Sequence, residues 1–284
     1  MAAFNYIHRA PDRTVILGER EPLYFSGTAY LGVQTHPEFL QLLTENLHRY
    51  GSNFGGSRRS NVRFAVIEEA EAVLTQLTTA PAAVTFSSGT LAGQIVVQYL
   101  QQFSTIFHYA PGTHPALLPT TTVLPSVAFG EWTQQILELA HRQAEPLLLL
   151  CNALDPLYAT PTRFDWLWQL PPDRRHLLVV DDSHGIGVTG EGGGFYPTKI
   201  PDWVEVIVVA SLGKAFGISG GVVLGNHQRI TDLQRTPFFG GASPVSPALL
   251  ATFVAAQPLY RRQQQLLRER IQQFHTFTKI ATLF

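Results

Sequence analysis

The sequence predicts an α/β fold: three layers, α/β/α, around a mostly parallel sheet. Three observations carry that expectation. Short apolar runs at Ala82–Phe86, Leu147–Leu150, Leu177–Val180 and Val204–Ala210 read as strands buried on both faces. Amphipathic stretches with helical spacing alternate with them. The chain has 284 residues, 45% of them hydrophobic and only 14% charged, enough for one large core with a modest charged surface.

The elements follow in order. Thr14–Leu17, Leu23–Ser26 and Tyr30–Val33 are short strand-like pieces. Pro37 opens a helix with Phe39, Leu40, Leu42, Leu43 and Leu47 on roughly one face, ending near Gly51. A Gly/Ser-rich loop, residues 51–61, carries Arg58 and Arg59. It reads either as a surface loop or as the wall of a pocket with an Arg facing an anion. A second helix covers Ala65–Thr78. The strand Ala82–Phe86 runs through Ser87-Ser88-Gly89-Thr90 into a helix reaching Gln101. Ser104–Tyr109 is strand-like, and Pro111–Pro115 forms a loop holding His114. A helix at Glu131–Ala144 precedes the strand Leu147–Leu150. A loop with two prolines, Asn152–Thr162, leads to a short aromatic helix at Phe164–Leu170. After Leu177–Val180 and the Gly-rich Gly190–Gly194 come Val204–Ala210, a short strand at Val222–Gly225 and a long polar helix from Gln257 to Phe277.

Composition excludes several classes. The net charge is −1 and no basic block is present, which argues against nucleic acid and anionic membrane surfaces. No apolar stretch approaches a membrane span. Cys151, the single cysteine, sits in an apolar run and reads as a core thiol of a reducing compartment. No leader pattern is visible, so a cytoplasmic setting is expected.

Chemistry concentrates at strand ends. Lys214 lies among apolar residues and glycines after the strand Val204–Ala210. Burial lowers a lysine's pKa, and a neutral amine is the nucleophile of Schiff-base chemistry. The same residues also describe a strand-end turn with a solvated lysine. Asp181, Asp182 and His184 end the preceding strand, where open α/β sheets bind ligands. With one histidine there and no second ligand cluster, no metal is expected. The helix start at Ser88-Gly89-Thr90 is either an anion site or an ordinary Ser-capped helix. His114 is either a site residue or a solvated loop histidine.

The motif from Val180 to Gly192, followed by Ser211-Leu212-Gly213-Lys214-Ala215-Phe216-Gly217, resembles the pyridoxal-phosphate enzymes of aspartate-aminotransferase fold. More narrowly it resembles the α-oxoamine synthases, the group of 8-amino-7-oxononanoate synthase and 2-amino-3-ketobutyrate CoA ligase. Tyr30-Leu31-Gly32, Gly55-Gly56-Ser57-Arg58 and Phe86-Ser87-Ser88-Gly89 match the same group in the same order, and the likeness runs from about residue 14 to the end of the chain. The resemblance implies a fold type I large domain, a homodimer and pyridoxal 5'-phosphate as cofactor. It implies that Lys214 binds the cofactor covalently and moves the α-proton, that Asp181 pairs with the ring nitrogen, and that His184 bonds the phenolic oxygen. It further implies that His114 stacks on the ring, and that Ser88, Gly89, Thr90 and Ser211 line the phosphate site. The implied reaction joins an amino acid to an acyl-CoA, in biotin biosynthesis if the substrates are those of 8-amino-7-oxononanoate synthase. Another reaction on the same cofactor, such as an aminotransferase or lyase, and a catalytically impaired dimeric homologue are the alternatives.

The chain departs from the group at several points. Thr28 stands where an Asn is usual, and Asn152-Ala153-Leu154-Asp155-Pro156 replaces a segment whose Ser usually touches the cofactor. Phe238–Pro244 replaces a hydroxyl-rich segment. The group's small C-terminal domain, which usually holds the Arg for the substrate carboxylate, has no counterpart in these residues. The expected organisation is therefore residues 1–50 as part of a small domain, 51–256 as the cofactor-binding large domain, and 257–284 as a helix leading to an absent or truncated small domain.

Overall fold

The structure, a computed structural model, describes residues 5–104, 106–119, 122–197 and 199–281. The ends of the expected N- and C-terminal segments, residues 1–4 and 282–284, lie outside them, as does Thr105 in the expected strand Ser104–Tyr109.

Six strands form the central sheet: β1 (Ala82–Phe86), β2 (His108–Tyr109), β3 (Leu148–Asn152), β6 (His176–Asp181), β7 (Val204–Ser211) and β8 (Gly221–Gly225). Their order is β1-β8-β7-β6-β3-β2. The neighbours from β7 to β2 pair in parallel, whereas β8 runs antiparallel to both β1 and β7. Alternate side chains of these apolar strands point to opposite faces, so one run feeds two cores. Val180, Val208 and Ala210 join a cluster with Leu74 and Phe253. Val179, Ile207 and Val209 join the other with Ile95 and Val96. Ile207 is fully buried, and truncation there to Ala is worth ~2–5 kcal/mol.

Helices cover both faces. α1 (Pro37–Tyr50), α2 (Ala65–Thr78), α3 (Gly89–Leu100) and α4 (Phe129–Arg142) match the amphipathic segments read from the sequence. Pro37 occupies the first turn of α1, and Gly51, at φ 77°, ends it. Three later helices were not foreseen: α5 (His227–Arg235), α6 (Pro237–Gly241) and α7 (Pro247–Ala255). α5 is nine residues long and mostly polar, burying only Ile230 and Leu233, so it lacks the apolar stretch that marks the longer helices. α7 is apolar almost all round and buried, so it lacks a polar face that would mark a period. α8 spans Gln257–Ala281. Among the described residues no helix is long and apolar enough to cross a membrane.

Other expectations need correction. Thr14–Leu17 and Leu23–Ser26 form only isolated bridges, Thr14 to Leu23 and Leu17 to Arg20. Tyr30–Val33 is not extended. Gly32 takes φ 60°, which breaks a strand, and a 3-10 turn follows at Val33–Thr35. The strand expected at Ser104–Tyr109 shrinks to β2. The proline-containing loop 152–162 holds a small hairpin of β4 (Leu154–Asp155) and β5 (Thr160–Pro161).

Candidate active site

Strand register brings the site together. Asn152 on β3 pairs with Asp181 on β6, and Asp181 pairs with Val209 on β7. The carboxyl ends of β3 and β6 are therefore level, β7 runs on to Ser211, and the loops that follow share one crevice. A cleft of about 400 Å³ opens there. Its walls come from the β1–α3 turn (Ser87, Ser88, Gly89, Thr90), the His114 loop, the β6 end (Asp181, Ser183) and the β7–β8 loop (Ser211, Gly213, Lys214, Ser219, Gly220).

The β1–α3 turn is a helix start with its N–H groups open to the cleft. Ser88 is the N-cap, its Oγ accepting Leu91 N–H at 3.1 Å. Gly89 is required by crowding: a Cβ there would sit 2.8 Å from Ser211 Cβ. Gly221 is required likewise, since its Cβ would lie 2.3 Å from the Ser88 carbonyl oxygen. The helix start is thus pressed against the end of β7, where the Ser211 Oγ accepts Gly213 N–H at 3.2 Å and keeps its own hydrogen free to donate. Free N–H groups and a hydroxyl make this end of the cleft suited to an anion.

Asp181 is buried, and its Oδ1 accepts Ser183 N–H at 2.9 Å. Its Oδ2 lies 3.5 Å from His114 Nδ1. That nitrogen accepts Ala116 N–H at 3.1 Å, so the imidazole carries its proton on Nε2 and the Asp181 contact is not a hydrogen bond. Asn152 fixes the same loop, accepting His114 N–H at 3.0 Å and donating to Gly112 O at 2.8 Å.

Burial lowers the Lys214 pKa from the ordinary lysine value, and the charge of Asp181 opposes that only in part. The Gln34 amide donates to the Lys214 carbonyl at 3.1 Å and anchors the loop. His184 stands beside the cleft, half-buried. Burial first, then the Lys214 charge, pushes its pKa down to about 4, so it is neutral at pH 7. Tyr30 Oη lies 2.6 Å from His184 Nδ1. Burial raises the Tyr30 pKa, so the hydroxyl keeps its proton and can donate to Nδ1 or accept from it.

Seven of the eight candidate residues line the one cleft, and His184 sits at its edge. Sequence reasoning gave no role to Ser183, Gly213, Ser219, Gly220, Ala116 or Tyr30. Ser183 bridges the two strand ends, its Oγ accepting Ser211 N–H at 2.9 Å. Its only signal was its place between Asp182 and His184. Tyr30 reaches His184 across 154 positions, which no local pattern reveals. The loop 51–61 does not offer an Arg to an anion through Arg58. That residue is buried, with Glu71 Oε1 at 2.9 Å, Thr85 O at 3.1 Å and the Phe239 ring beneath its guanidinium. Arg59 Nη2 donates to the carbonyls of Gln234 and Thr236. Among the described residues no group of three His, Cys, Asp or Glu is placed to hold a metal ion.

The fold and this strand-end cleft define an α/β protein of the doubly wound type with a half-buried lysine beside a buried carboxylate. Residues 126–279 match the aminotransferase class I and II family, and the chain belongs to it. Similar curated proteins include the 8-amino-7-oxononanoate synthase of Aromatoleum aromaticum, 29% identical over 86% of this chain and 64% of that one. The 8-amino-7-oxononanoate synthase of Nitrosomonas europaea is 28% identical over 91% of this chain and 71% of its own length. The chain thus spans about two thirds of the length of these relatives. Among solved structures, Sphingomonas wittichii serine palmitoyltransferase matches with a TM-score of 0.72 at 17% identity, over 88% of this chain and 65% of that one. An SPT carrying PLP as its internal aldimine matches at TM-score 0.78 and 16% identity, over 98% of this chain and 72% of that one. These structural matches show the fold.

Proposed function

We propose that the chain binds pyridoxal 5'-phosphate through Lys214 and joins an amino acid to the acyl group of an acyl-CoA. One observation carries the cofactor reading: the amine of Lys214, the carboxylate of Asp181 and the α3 helix start converge on one cleft. The donor set fits the group. The close packing at Gly89 and Gly221 seats the α3 start against the end of β7, and the α3 N–H groups and the Ser211 hydroxyl suit a phosphate.

When bound, pyridoxal phosphate supplies an electron-withdrawing ring that stabilises negative charge at the amino acid's α carbon. The residues do the rest. Lys214, its pKa lowered by burial, presents a neutral amine more often than a solvated lysine does, and so binds an aldehyde and accepts a proton at Nζ. Asp181 keeps a ring nitrogen protonated by its charge. His184, neutral, would donate to a phenolic oxygen, and His114 would lie beside the ring. Gly89 and Thr90 N–H groups and the hydroxyls of Ser88 and Ser211 would hold the phosphate.

The acyl-transfer reading rests on the sequence motifs and on the two synthases above. It is tested by supplying the cofactor-loaded protein with amino acids and acyl-CoAs and measuring free CoA thiol. Thiol release that depends on both substrates and vanishes in Lys214→Ala supports it. Keto-acid formation without acyl-CoA would instead select the aminotransferase reading that the family name favours. A homodimer in the cytoplasm belongs to the same proposal, checked by analytical ultracentrifugation and cell fractionation.

A further inference from the structure

Helix α8 presents Tyr260, Gln264 and Arg268 at positions i, i+4 and i+8, one row along one face. The Tyr260 hydroxyl donates to the Phe216 carbonyl at 2.8 Å, two residues beyond Lys214. Both residues are buried, and their rings pack edge to face at 5.0 Å. One turn along, the Gln264 amide donates to the Gly187 carbonyl at 3.1 Å, three residues beyond His184. Gln264 is 6% exposed. The turn closes tightly over it: a Cβ on Gly192 would sit 2.2 Å from the Gln264 Nε2. Arg268 then reaches Glu191 in the same turn at 3.0 Å. A single helix face therefore holds the two loops that carry Lys214 and His184. Neither loop leaves it freely, because each departure strips a buried carbonyl of its donor.

We propose that Tyr260 and Gln264 are positioning residues, and that α8 sets the placement of Lys214 relative to His184. A shift or rotation of α8 is transmitted to both loops together. Only the spectroscopic part of the test rests on the cofactor reading above.

The test uses the full chain as Tyr260→Phe and as Gln264→Met, which keeps the buried volume and removes the amide. Arg268→Ala is the control, since its pair is largely exposed. Hydrogen exchange is measured without cofactor over residues 185–193 and 212–219. The proposal expects each variant to speed exchange in both segments, on the order of tenfold, including the one its lost hydrogen bond does not touch. With pyridoxal phosphate added, the pH midpoint of the visible band shifts in both variants and stays at the wild-type value in Arg268→Ala. Gln264→Met alone decides the matter if Tyr260→Phe does not fold. Loosening confined to the touched segment, with an unmoved midpoint and a lowered melting temperature, would overturn the proposal in favour of plain local contacts. A wild type without a visible band would defeat the cofactor reading, while the exchange data still decide this one.

Discussion

Tyr30 and His184 meet at 2.6 Å between the phenol oxygen and Nδ1. The phenol is held above its ordinary pKa and the imidazole is held down to about 4, so two neutral groups share one hydrogen. At pH 7 the histidine is therefore neutral, and with the phenol as donor its hydrogen is expected on Nε2. Nitrogen NMR of the labelled protein should show that tautomer in the wild type and a mixture in Tyr30→Phe. A wild-type imidazole protonated on Nδ1, or charged at pH 7, would contradict the assignment.

Asp182 makes stability fall with rising pH. Its Oδ2 accepts Phe195 N–H at 2.6 Å, its Oδ1 has no partner of good geometry, and Gly185 and Gly194 close around it. Burial first, with Asp181 adding repulsion, pushes its pKa up from 3.8 to about 7. Between those values the folded chain binds a proton that the unfolded chain has lost. Stability therefore declines as pH rises from about 4 to about 7, by a few kcal/mol from this group, and levels off above. Urea melts across that range should show the decline, and Asp182→Asn should flatten it. An unchanged slope in the variant would place the effect elsewhere.

Arg58 and Glu71 form a buried pair at 2.9 Å. Glu71 Oε1 also accepts Thr85 N–H at 2.7 Å and the Thr85 hydroxyl at 2.9 Å. Burial raises the Glu71 pKa, and Arg58 is the first force opposing that. Arg58→Met should cost about 3–5 kcal/mol, since it strands a buried carboxylate. Adding Glu71→Gln should recover part of that loss. Chemical denaturation of the two variants decides between this pairing and a neutral packing role.

Gly89→Ala forces the start of α3 away from Ser211, where the new Cβ would have 2.8 Å to the nearest atom. Overpacking of this kind costs about 1–3 kcal/mol, and here it falls on the anion cradle. Absorbance titration should show weakened pyridoxal-phosphate binding, and inorganic phosphate should protect the variant less than the wild type. Equal affinity in the two proteins would remove the cradle from the phosphate role.

Much of the fold was legible because its strands are short apolar runs bounded by glycine, serine or aspartate. Ala82–Phe86 and Ala65–Thr78 appear with the boundaries their patterns predict. The site was legible where chemistry is local, as in Asp181-Asp182-Ser183-His184 and Gly213-Lys214. It was hidden where function depends on distant contacts. Tyr30 looked like part of a strand, yet the left-handed Gly32 turns the chain and aims its phenol at His184. Arg58 read equally as a surface or a pocket cation, yet the carboxylate that claims it lies on α2. α7 was missed because a helix buried all round has no amphipathic period.

The central claim is that the Lys214 amine holds pyridoxal phosphate. It is tested most directly by adding the cofactor, reducing with borohydride and locating the modified residue by mass spectrometry. The account predicts a phosphopyridoxyl group on Lys214, a visible band in the unreduced protein, and neither in Lys214→Ala. An unmodified Lys214, or a label on Lys199 instead, would contradict it.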